Sequence, residues 1–93
     1  MDNLTNIKYY FKNHLSFMDM CKITTLFDGN YDVQYYNFNS NIPVDYTERK
    51  FQVYLKNKDN DNSIQIEYNS IYFINMEPKD ALMKFNEAMH ILN

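Results

Sequence analysis

The stretch FQVYLKNKDNDNSIQIEY, residues 51–68, leaves this chain little choice of local structure. Phe51, Val53 and Leu55 alternate with polar neighbours, and Ile64, Ile66 and Tyr68 do so again after a gap of Asn and Asp. Period-two alternation gives a strand one face to bury and one to leave wet, which an amphipathic helix cannot satisfy. The gap, KDNDN, is rich in residues that tolerate left-handed backbone and bond to their own main chain. A β-hairpin is therefore expected, and it commits the fold to an antiparallel sheet with a buried face.

The same gap invites a second reading, as a calcium loop. An EF-hand needs oxygen ligands at loop positions 1, 3 and 5, Gly at 6 and a bidentate Glu at 12. Counting from Asn57 places Asp59 and Asp61 correctly, but Asn62 holds the Gly slot and Glu67 arrives one residue early. Counting from Asp59 puts Ile64 in the Gly slot and Ser70 at position 12. Neither register closes a cage, so no metal or other cofactor is expected.

The remaining elements follow from spacing and punctuation. Leu4, Ile7, Phe11, Leu15 and Met18 recur at three- and four-residue steps, which predicts an amphipathic helix over DNLTNIKYYFKN, capped by Asp2 or Asn3. Ser16 and Asp19 have the spacing of a capping box, which would either start a short second helix or mark the exit of the first. MCKITTLF, residues 20–27, is rich in β-branched residues and reads as a strand. Asp28-Gly29 is placed as a hairpin turn into the strand YDVQYYNFN, residues 31–39. SNIPVDYTE is a loop, with Pro43 restraining Ile42. After the hairpin, Asn69-Ser70 turns into IYFINM, and Pro78 opens a helix whose expected buried face is Ala81, Leu82, Phe85, Ala88, Met89 and Leu92. The expected fold is α+β: an N-terminal helix, an antiparallel meander of about five strands and a C-terminal helix, forming a two-layer α/β sandwich with one sheet face partly bare.

Ninety-three residues make a single domain over 1–93. One Cys, Cys21, allows no internal disulfide and suits a reducing compartment. The first residues carry neither a basic nor an apolar leader segment, and no apolar run is long enough for a membrane span. A cytoplasmic protein without membrane partners is expected. The net charge of −3, with four basic groups confined to residues 47–58, is no footprint for nucleic acid.

Candidate chemistry is sparse. Glu87 and His90 stand at i, i+3 on the last helix, half of a di-iron motif whose other half is missing. Cys21 with His14 or His90 could form a nucleophile–base pair, although nothing in their spacing calls for it, and Cys21 reads better as a small buried hydrophobe. A single Gly rules out a Gly-rich phosphate or oxyanion loop. What stands out is Tyr, present nine times. Tyr54 alternates with the apolar face of its strand, and Tyr36 and Tyr72 can share the same bare face. Tyr46 sits in the Pro43 loop. Tyr suits strands in general, but it also anchors interfaces, since its ring buries area while its hydroxyl stays satisfied.

A small, mildly acidic α+β chain with a Tyr-rich sheet is similar, in size and composition, to immunity proteins of toxin systems and to phage-encoded inhibitors of bacterial defences such as anti-CRISPRs. The resemblance carries no motif. It implies a non-enzymatic, protein-binding inhibitor that blocks a larger partner such as a nuclease or toxin, whose basic cleft would attract Asp59, Asp61 and Glu67. Tyr36, Tyr46, Tyr54, Asp59, Asp61, Gln65, Glu67 and Tyr72 are the expected partner-binding residues. The alternatives are a small enzyme using His or Cys, and a single-strand RNA-binding module stacking bases on Tyr.

Overall fold

A computed structural model describes residues 3–37 and 52–93. Five strands and two helices follow in the order β1 (Thr5–Tyr10), α1 (Phe17–Phe27), β2 (Tyr31–Asn37), β3 (Gln52–Asn57), β4 (Ser63–Ile66), β5 (Ser70–Met76) and α2 (Pro78–Leu92). The strands form one antiparallel sheet in the order β1-β5-β4-β3-β2, so β2 to β5 are a meander and β1 joins at the far edge. The α+β class stands, with its five-stranded antiparallel sheet and closing helix.

The hairpin of β3 and β4 forms as its alternation dictates. Val53 pairs with Ile66 and Leu55 with Ile64, and all four are essentially inaccessible to solvent. Asn57 Oδ1 accepts the amides of Asp59 and Asn60 at 2.8 and 3.1 Å, and Asn60 Oδ1 accepts that of Asn62 at 2.8 Å. The side-chain oxygens that suggested a calcium loop serve the turn itself. Tyr31 is buried beside this turn, and its hydroxyl bonds to the Asn57 and Asn62 side chains. Burial pushes its pKa above the ordinary tyrosine value, against the opposing effect of those two bonds, and the Asp80 carboxylate adds to the rise.

The first third of the chain departs from expectation. Residues 5–10 are a strand, with Ile7 and Tyr9 turned toward the core and Lys8 and Tyr10 turned away. The spacing of Leu4, Ile7 and Phe11 fits a helix, but Ile7-Lys8-Tyr9-Tyr10-Phe11 also alternates, and its Tyr-Tyr-Phe run favours a pleated surface. Leu4 and Met18, expected in the buried stripe, are exposed. The helix starts later, at the predicted capping box: Ser16 Oγ accepts the Asp19 amide at 3.0 Å, and Asp19 Oδ2 accepts the Ser16 amide at 2.9 Å. It continues through MCKITTLF, where a strand was expected. Met20, Ile23, Thr24 and Phe27 keep helical spacing on the buried side, while the Thr24 and Thr25 hydroxyls donate to the carbonyls of Met20 and Cys21. Asp28-Gly29 is consequently the exit from α1 rather than a hairpin. Gly29 has no positive φ, and Asn30 donates back to the Phe27 carbonyl.

Both helices cover one face of the sheet, and they contact each other. α2 lies over β1 and β5, and α1 over β3. The core between the layers joins Met20, Ile23 and Phe27 of α1 to Leu55, Ile64, Ile71 and Phe73 of the sheet. Pro78 sits in the first turn of α2, as expected. The expected face of α2 is corrected on one side. Ala81, Phe85 and Ala88 are buried, but Leu82 and Met89 remain 48% and 38% exposed. Phe85 stacks on Tyr9, ring centres 4.5 Å apart and planes within 10°, with Phe11 at 5.4 Å. The helix therefore buries a narrow stripe over β1 and β5 and leaves Leu82 and Met89 at its margin.

A bulge marks the β1–β5 edge. Asn75 adopts φ 58°, and its amide donates to Asn6 Oδ1 at 2.8 Å. Asn is among the side chains that enter this region at least cost.

Candidate functional site

The helices leave the other face of the sheet without a described layer over it. The register lines up Tyr54, Gln65, Tyr72 and Lys8 in one row across β3, β4, β5 and β1, each directly opposite the next. Residues opposite one another in an antiparallel pair share a face, so these four side chains form a continuous stripe. Tyr54, Gln65 and Tyr72 are half-buried by their neighbours, and Tyr10, two residues along from Lys8, is 65% exposed.

The polar groups of the stripe gather around Lys8. Its Nζ lies 3.5 Å from Glu67 Oε2, 5.6 Å from the Tyr10 ring centre and 6.0 Å from that of Tyr72. Glu67 is held in turn by Gln65 Nε2 and Ser70 Oγ, both at 3.4 Å. A cation between two rings and a carboxylate holds both tyrosines at defined positions, and rings already placed lose less freedom when a partner covers them.

Asp59 and Asp61 lie at the exposed tip of the β3–β4 hairpin. Asp61 Oδ1 is 3.6 Å from Lys56 Nζ, which also donates to the Asn60 carbonyl at 3.0 Å, and Lys58 pairs with Asp32 at 3.8 Å. These are solvent-exposed pairs that contribute little to stability and remain able to exchange partners. Of the expected residues, Tyr54, Gln65, Glu67 and Tyr72 thus lie together, with Asp59 and Asp61 at the end of the same hairpin. Backbone register pairs Tyr36 with Val53, so Tyr35 rather than Tyr36 takes the place opposite Tyr54, after a bulge. Tyr46 and the Pro43 loop lie outside the described residues.

Lys8 and Tyr10 were not anticipated, because residues 2–13 read as a helix. The signal was present in the alternation of Ile7, Tyr9 and Phe11 with Lys8, Tyr10 and Lys12.

His14 packs its ring edge against Tyr68 at 4.8 Å, His90 is exposed in the last turn of α2, and Cys21 is only partly buried on α1, less than a core position would require. Among the described residues no three His, Cys, Asp or Glu side chains gather in a way that could hold a metal ion, and no helix is long and apolar enough to cross a membrane. On the helical side, a shallow groove of about 510 Å³ runs between Leu26 of α1 and Met83, Glu87 and Ile91 of α2. No protein-family model, curated protein or solved structure matches the chain.

Proposed function

We propose that this protein is a non-enzymatic binding module that blocks a larger protein through the uncovered face of its sheet. The observation that carries the reading is the stripe Tyr54–Gln65–Tyr72–Lys8, with Tyr10 beside it. Rigid aromatic rings with their polar ends wet are the residues that dominate interface energetics, and here a β-sheet fixes them in one plane. The acidic tip carrying Asp59 and Asp61 supplies steering toward a basic surface, which suits a nuclease or toxin as the blocked partner. A cytoplasmic inhibitor of the immunity-protein or anti-defence kind is consistent with the small size and the charge of −3.

The test uses the immobilised chain to capture its partner from extracts of the source cells, in parallel with Tyr54→Ala/Tyr72→Ala and, as a control on the helical layer, Met83→Ala. The control should retain the partner. The tyrosine variant should lose it, with each anchor costing about 2 kcal/mol or more through faster dissociation. Adding the parent chain should lower the captured protein's activity, and His14→Ala/Cys21→Ala/His90→Ala should inhibit as the parent does. Equal capture by the tyrosine variant would place the interface elsewhere. Loss of inhibition in a folded His/Cys variant would favour an enzyme.

A further inference from the structure

The sheet ends on one side at β1, and no described strand lies beyond it. Phe11 donates its amide to the Asn69 carbonyl at 2.9 Å, in the register that pairs Tyr10 with Ser70 and Tyr9 with Ile71. Main-chain groups alternate along a strand, so Ile7 and Tyr9 bond to β5 while Lys8 and Tyr10 turn their amides and carbonyls outward. An edge of this kind is satisfied by another strand.

The helix above supplies a second, independent feature. Met83, Glu87 and Ile91 face α1 across the groove, so Leu82 and Met89 lie on the opposite flank of α2. Met89 also lines the cleft next to Phe11, where β1 ends. Leu82 and Met89 stand two helical turns apart on this flank and are 48% and 38% exposed. α2 thus lies over the edge strand with a partly apolar flank turned away from α1.

We infer that β1 pairs antiparallel with β1 of a second copy, joining two five-stranded sheets into one and bringing the two α2 flanks together. The two requirements select the same occupant. A twofold axis perpendicular to the sheet keeps both helical layers on one side and sets the α2 helices side by side, running oppositely. Leu82 of one copy then faces the level of Met89 of the other. A lone strand from another protein would satisfy the backbone of β1 but bring no helix to cover this flank.

The register is also determined. Opposed residues must share a face, so the axis passes through a residue of the strand, Ile7, Lys8 or Tyr9. An axis at Lys8 would set two ammonium groups against each other. An axis at Ile7 lies two residues from Tyr9, on which Phe85 stacks, and so misses the level midway between Leu82 and Met89. An axis at Tyr9 meets that level and sets the outward-bonding Lys8 and Tyr10 opposite each other. The axis at Tyr9 is the one that fits. The tyrosine stripes of both copies then lie on one continuous face.

Sedimentation equilibrium tests this with three proteins. The parent should show twice its chain mass of 11.3 kDa. Lys8→Pro removes an outward amide that β5 does not use, and Leu82→Lys sets an ammonium group against Met89 of the second copy, at a position already half-exposed. Each should retain the parental circular dichroism and sediment at 11.3 kDa. A parent that stays at 11.3 kDa at its highest soluble concentration overturns the inference and leaves the edge to a strand of another protein. A dimer that survives either folded variant overturns it too.

Discussion

Phe85→Ala is the substitution that most directly tests how the two layers hold together. Phe85 is 8% exposed, lies on the buried face of α2 and is sandwiched against Tyr9 and Phe11, so its ring joins the helix to the one strand that is distant in sequence. Truncating a buried Phe costs about 3–5 kcal/mol, and a stacked pair adds about 0.5–1.5 kcal/mol beyond the area lost. With 93 residues, total stability is of the order of 5–14 kcal/mol, so one side chain carries a large part of it. The melting temperature should fall by roughly 12–40 °C, because each kcal/mol is worth about 4–8 °C in a domain of this size. Met83→Ala, at an exposed position on the same helix, should fall within about 1 kcal/mol of the parent. Urea titrations followed by circular dichroism measure both, with an unchanged m-value confirming that the same surface unfolds. If the two variants lost comparable stability, the assignment of the buried face of α2 would be refuted.

Three further outcomes are expected. Ser16→Ala removes half of the capping box and should cost about 0.5–2 kcal/mol, measured by the same titration; no loss would mean that α1 does not depend on that cap. Tyr31 has a folded pKa raised above its unfolded value, so its contribution is intact below about pH 10 and is lost as pH rises from there through the folded pKa. Stability measured across that range should decline less steeply in Tyr31→Phe, and an identical slope in both proteins would contradict the burial argument. Millimolar calcium should leave the melting temperature unchanged, because the Asn57 and Asn60 oxygens are engaged by backbone amides and Asp61 lies beside Lys56. A rise specific to calcium over magnesium would show that the hairpin tip rearranges into a cage.

What could be read from the sequence depended on whether the deciding interactions were local. The β3–β4 hairpin was legible because its alternation and its Asn/Asp turn agree, and α2 because Pro78 marks its start. Residues 4–11 satisfy two periods at once, and the strand is chosen by β5, whose residues lie near the other end of the chain. The Thr pair at 24 and 25 suggested a strand by propensity alone, yet both hydroxyls have a helical acceptor four residues back. The exposure of Leu82 and Met89 could not be inferred from spacing, since it depends on where α2 crosses the sheet. The same division applies to the uncovered face of the sheet. Tyr54, Gln65, Glu67 and Tyr72 followed from the alternation of consecutive strands, whereas Lys8 and Tyr10 joined them only through the topology.

The place of β1 also sets an order of events in folding. Its contacts with β5 close a loop that nearly spans the chain, as in the bond from Thr5 Oγ1 to the Met76 carbonyl, 71 positions apart. The strands β3 to β5, by contrast, meet through short turns. Long loops are closed late, after local contacts have formed. β1 therefore docks onto a sheet that already exists, and Phe85 must wait for Tyr9 before its stack is complete. Substitutions such as Tyr9→Ala should accelerate unfolding and leave refolding nearly unchanged, whereas substitutions at Ile64 or Leu55 should slow refolding. During synthesis the same order holds Lys8 and Tyr10 away from the tyrosine stripe until β5 has left the ribosome, so the uncovered sheet face is complete only once most of the chain has been made.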